Sequence, residues 1–186
     1  TLFDFESTIP TRDITLYARW EVKLEENQTF GAWQEKDGLL VINTVAAAEQ
    51  SEYATYSNGA SQEAEWEVYD QDGLTGMSNI IDESRQWRID PEGTSGYPDI
   101  KDETEPAPYL QFKINITNPG TYHVFIMMIG PKSGSNSCFI EIDDIIVDCG
   151  AAKPTGTGVW QYDDGMGWTA ELTAGEHTLT LYVRED

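Results

Sequence analysis

Six tryptophans, set among 33 acidic residues in a 186-residue chain, are the side chains best suited to chemistry here. An indole presents a flat apolar face to the C–H face of a pyranose and keeps an N–H for hydrogen bonding. Trp66, Trp87, Trp160 and Trp168 fall in or beside stretches that read as loops, whereas Trp20 and Trp33 fall near the start of the chain. Asn79, Arg85, Arg184 and Glu185 supply amide, guanidinium and carboxylate groups of the kind that read sugar hydroxyls. Any one of these indoles taken alone fits a partly buried core position. Taken as a set, the expectation is that at least one of the four lines a ligand groove.

Catalytic chemistry finds less support. Two acids spaced for glycoside cleavage can be picked almost anywhere among so many carboxylates, so their presence carries no information. Glu63, Glu65 and Glu67 alternate around Trp66 and read as a solvated strand face, while Asp163 and Asp164 lie in a Gly-rich loop between Trp160 and Trp168. There is no Gly-x-Ser-x-Gly elbow, no His-Glu-x-x-His, no phosphate loop and no zinc spacing. His123 and His177 read as solvated or structural. Asp70-Gln71-Asp72-Gly73 resembles a piece of a calcium loop, but Val68 and Asn79 stand where an EF-hand needs ligands. No cofactor is expected, and a structural calcium held by scattered oxygens stays open.

The net charge of -22 repels phosphate backbones and anionic headgroups, so neither nucleic acid nor membrane is expected as a partner. No run of residues approaches the length of a membrane-spanning helix. The chain starts at Thr1 without Met, which reads as excision from a longer precursor.

The elements that must position these residues read as strands. Leu39 to Asn43 is a continuous apolar run, and Pro108 to Ile116 alternates with Leu110, Phe112, Ile114 and Ile116 on one face. Thr121 to Ile129 places Tyr122, Val124, Ile126 and Met128 inward. Trp168 to Thr173 is a further strand, and His177 to Val183 carries Leu179, Leu181 and Val183 inward. The segment from Cys138 to Cys149 reads as a hairpin turning at Asp143-Asp144, which pairs Ile142 with Ile145, Ile140 with Val147 and Cys138 with Cys149. Opposed residues have Cα atoms roughly 4.5–5.5 Å apart, within reach of a disulfide. A cross-strand disulfide and two buried thiols both remain open. No segment shows a capped helical period. Tyr53 to Pro108 shows little alternation, as binding loops do. The fold class expected is all-β, an antiparallel β-sandwich of jelly-roll type.

Two resemblances extend this reading. Phe3, Phe5, Ile9 and Asp13-Ile14-Thr15-Leu16-Tyr17-Ala18-Arg19-Trp20 resemble the end of an internalin-type B-repeat, the Listeria–Bacteroides repeat. Residues 1–22 are then the tail of a repeat, 23–36 a linker and 37–186 the β-domain. That domain resembles the galactose-binding-like carbohydrate modules, closest to the C-terminal domain of family 115 glycoside hydrolases. The matching pieces are Asp37-Gly38-Leu39-Leu40-Val41-Ile42, Ser51-Glu52-Tyr53-Ala54, Trp66, Gly76-Met77-Ser78, Ala107 to Lys113, Pro119 to Phe125, Trp160 and Ala174 to Asp186. Where such modules carry a Glu-Ala-Glu calcium motif this chain has Asn43-Thr44-Val45, and the family continues past Arg184-Glu185-Asp186 into a last strand. The resemblances imply a noncatalytic, monomeric carbohydrate-binding module in an extracellular bacterial multidomain protein. The alternatives they leave are an adhesive surface domain without a glycan site and an accessory domain of a hydrolase.

Overall fold

A computed structural model describes residues 32–59, 64–71, 74–81, 87, 89, 99–128, 137–149, 159–161 and 169–184. The strands are β1 (Trp33–Gln34), β2 (Ala54–Ser57), β3 (Ala64–Gln71), β4 (Leu74–Ile81), β5 (Tyr109–Ile116) and β6 (Gly120–His123). They continue with β7 (Ile126–Met128), β8 (Cys138–Ile142), β9 (Ile145–Cys149), β10 (Val159–Gln161), β11 (Thr169–Leu172) and β12 (Gly175–Val183). A 3-10 helix spans Thr44–Glu49. The architecture is therefore mainly β, with one mixed sheet, three two-stranded pairs and one short helix among the described residues.

The main sheet runs β1-β5-β12-β8-β9, with β2 also paired to β5. β5 is its spine because its period-2 pattern buries one complete face. Leu110, Phe112, Ile114 and Ile116 are all buried, whereas Lys113 on the other face is exposed. One edge of β5 takes β12 over the full register from Tyr109↔Tyr182 to Ile116↔Gly175. The other edge is shared. β2 pairs antiparallel along Tyr109 to Phe112, and β1 pairs parallel at Ile114 and Asn115.

That parallel pair corrects the purely antiparallel expectation. Trp33 and Glu35, assigned to the linker, are buried at 4% exposure each, and β1 joins the sheet. β2 leaves the last part of the β5 edge uncovered, and β1 fills it. The long intervening chain makes a parallel arrangement attainable. The repeat tail assigned to 1–22 lies outside the described residues.

Three further expectations are revised. Leu39 to Asn43 is not a strand. Leu39 is 65% exposed and makes only an isolated bridge to Lys36. Asn43 instead caps the 3-10 helix, its Oδ1 accepting from Val45 N at 3.1 Å, and Ala47 is buried beneath. The chain is thus not helix-free. Tyr53 to Pro108 holds β2 and the β3–β4 hairpin. Thr121 to Ile129 is split at Val124–Phe125, where pairing passes from β11 to β10.

The main core lies on the Phe112 face. Tyr122, Val124, Ile126, Ala170 and Leu172 from the two-stranded pairs, with Trp66 and Met77 from the hairpin, pack there on β5, β8 and β12. A second cluster lies on the opposite face, where Phe139 and Tyr182 meet Trp87, Ile100 and Ala107. Both faces of the sheet are therefore covered at this end, so β8 buries Phe139, Ile140, Glu141 and Ile142 in succession.

Candidate functional site: the Trp66–Asn79 pair

Trp66 of β3 stands directly opposite Asn79 of β4. Directly opposed residues project to the same face of a hairpin with Cβ atoms roughly 4.5–5.5 Å apart. The hairpin is held in place from two sides. Asn58 Oδ1 accepts from Trp66 N at 3.0 Å, and Thr44 Oγ1 accepts from Met77 N at 3.2 Å. Asn58 is fixed in turn by Gly59, whose φ of 66° lets the chain pass against Pro106; a Cβ there would lie 2.2 Å from the Pro106 carbonyl.

The Trp66 ring is partly buried and packs against both hydrophobic clusters. Its Nε1, and both Oδ1 and Nδ2 of Asn79, are enclosed without a hydrogen-bond partner among the described residues. Leaving one such buried group unpaired costs about 1–3 kcal/mol. Three on one opposed pair is an arrangement that a polar guest would relieve. Together they carry three N–H donors and one acceptor oxygen beside an apolar ring.

Other residues expected at the site take different roles. Trp87 is core, at 0% exposure, with its indole Nε1 donating to the Glu105 carbonyl at 3.1 Å. It closes the second cluster rather than lining an open face. Arg184 is tied into the same region. Its carbonyl accepts from Trp87 N at 2.8 Å, its Nη1 donates to Ser137 Oγ at 2.9 Å, and its guanidinium lies 5.7 Å above the Phe139 ring. Arg184 Nε is buried without a partner among the described residues. Trp66 touches the cluster that holds Trp87, so these residues occupy one end of the main sheet. Trp160 is described by its backbone, which sets it opposite Met127 on β7. Arg85, Trp168 and Glu185 lie outside the described residues.

Asn58 and Thr44, which hold the hairpin, were not singled out from the sequence. The Asn58-Gly59 pair is a turn signal that could have marked one of them.

Ionisable groups near this end are committed to structure. Glu141 is 8% exposed and pairs with Lys101 Nζ at 2.5 Å. Burial, with the nearby Glu141 and Tyr109, pushes the Tyr182 hydroxyl up to about 12. Among the described residues no group of three or more His, Cys, Asp or Glu side chains is placed to hold a metal ion. The cysteine hairpin has the expected register, Cys138 opposite Cys149 and Ile142 opposite Ile145, and Cys138 carries a free thiol. A separate cleft, lined by Ile140, Ile142, Ile145 and Leu172 among others, holds about 40 Å³, far below the several hundred Å³ of typical ligand pockets.

Compared with known proteins, the chain matches no family model, no curated protein and no solved structure.

Proposed function

We propose that this chain is a noncatalytic carbohydrate-binding module, a galactose-binding-like sandwich of jelly-roll type within a secreted or cell-surface bacterial protein. The observation that carries this reading is the Trp66–Asn79 pair, a partly buried indole opposite an amide, with three enclosed polar atoms lacking partners among the described residues. The mainly β scaffold with a packed core supports it, because a rigid sheet can hold such a pair ready for ligand. The net charge of -22 favours neutral glycans over polyanions, nucleic acid or anionic membrane.

The test is a glycan array on the chain, followed by tryptophan-fluorescence titration of each hit. Trp66→Ala and Asn79→Ala should each weaken a hit by about tenfold or more, the loss expected of a central contact. Absence of any hit, or hits unaffected by both substitutions, would overturn the proposal.

A further inference from the structure

His177 lies at the other end of the main sheet and bridges two turns. Its Nδ1 is 2.8 Å from Asp143 Oδ2, in the β8–β9 turn, and its Nε2 is 2.8 Å from the carbonyl of Thr173, just after β11. Both partners are acceptors. A neutral imidazole has one N–H and can satisfy only one of them, whereas the imidazolium donates to both. The His177 side chain is 9% exposed, whereas that of Asp143 is 51% exposed.

The turn holding Asp143 is anchored independently of the ring. Asp143 N donates to Thr178 O at 2.8 Å, and Thr178 N donates to Asp143 Oδ1 at 3.0 Å. Thr173 lies one residue past the last rung of the β11–β6 ladder, Leu172↔Gly120, so its carbonyl is the contact that yields when the ring loses its charge. One end of the bridge, Asp143, also lines the cleft of about 40 Å³, whose walls include Ile140, Ile142, Asp143 and Ile145 on one side and Thr169 to Leu172 on the other.

We propose that His177 is a pH-sensitive latch that holds the end of β11 against the β8–β9 turn and opens the cleft between them on deprotonation. Of the charged groups on the elements packed here, Asp143 contacts the ring directly and favours the latched state. Glu176 precedes it on β12 and projects to the other face, Asp144 follows in the turn, and Glu171 on β11 accepts from Thr121. From β5 the register partner is the apolar Ile114, with Lys113 the cation next along that strand. The hydrogen bond to Asp143 raises the His177 pKa above the ordinary histidine value; burial opposes this, and the Thr173 carbonyl and the Asp143 charge add to it. The latch is thus complete below about pH 6.5, the ordinary value, and is lost as pH rises through the higher folded one. It does not rest on the glycan reading.

Amide hydrogen exchange from pH 5.5 to 9.5, corrected for the intrinsic base-catalysed rate, tests this directly. Protection in β11 and the β8–β9 turn should fall by about tenfold with the titration of His177, read in parallel from its ring resonances, while β5 amides keep theirs. His177→Gln should remove that pH dependence, and His123→Gln should retain it. Asp143→Asn, which keeps the imidazole, should move the midpoint to lower pH. The proposal is overturned if protection in β11 is unchanged across the ring titration, or if His177→Gln shows the same pH profile as the parent. Should His177→Gln not fold, an Asp143→Asn midpoint equal to that of the parent overturns it equally.

Discussion

The carboxylate of Glu35 accepts hydrogen bonds from the backbone N–H and hydroxyl of Thr117, 82 positions further along the chain, and from the backbone N–H and amide of Asn118. One side chain near the start of the described chain thus organises the turn between β5 and β6, and Trp33, two residues before it, is inserted in the core beside Ile114. The Thr117 hydroxyl and the Asn118 amide lead in stabilising the charged form. Burial opposes them, and the backbone N–H groups of Gly38 and Asn118 assist, so the carboxyl is held down to about 2.

A depressed carboxyl pKa stabilises the fold fully above the unfolded value near 4.5, and that stability is lost as pH falls through about 2. Thermal melts between pH 5 and 2 should therefore show a falling midpoint to which Glu35 contributes. Glu35→Gln should lower the midpoint at pH 7 and flatten its fall in that acid window. An equally steep acid limb in the variant would show that other carboxylates set it.

Trp87 and Trp66 should separate stability from binding. Trp87→Ala empties a fully buried site, removes the donor to Glu105 and should cost about 3–5 kcal/mol in denaturant unfolding. Trp66→Ala should cost less, because that ring is only partly buried, yet it should remove glycan binding. A conservative Trp87→Phe that folds should bind as the parent does.

Asn79→Leu makes the sharper test of a site kept for ligand rather than for stability. Replacing an enclosed amide that lacks partners among the described residues by an apolar group of similar size should stabilise the chain by about 1–2 kcal/mol while abolishing binding. A loss of stability on that substitution would mean the amide is satisfied in solution.

Gly59→Ala should destabilise the chain by about 1–3 kcal/mol, since the residue has φ 66° and the new Cβ would collide with the Pro106 carbonyl. The strain falls on Asn58, which holds Trp66, so weaker ligand binding should accompany the lower unfolding midpoint.

Much of the sheet was legible in the residues alone. The alternation Leu110, Phe112, Ile114, Ile116 reappears as the buried face of β5, and the hairpin from Cys138 to Cys149 has the register read from its apolar face and its Asp143-Asp144 turn. Both are local facts, since a period of two and a tight turn together determine which side chains share a face. Asn43 before Thr44-Val45 was an equally local cap signal, but the short helix it starts has too few buried positions to show a period.

What only the tertiary structure decided is which surfaces meet. Nothing within reach of Trp33 along the chain marks it as a neighbour of Ile114, and nothing around Trp87 marks it for the core. Trp87 and Trp66 are alike in type, yet one fills the space above Phe139 and Tyr182 and the other stands opposite Asn79 with its N–H enclosed but unpaired among the described residues. Burial of a given indole is a property of the pieces that close over it. Those pieces come from distant segments, 99–108 for Trp87 and the core residues of the main sheet for Trp66, whose approach no sequence window contains.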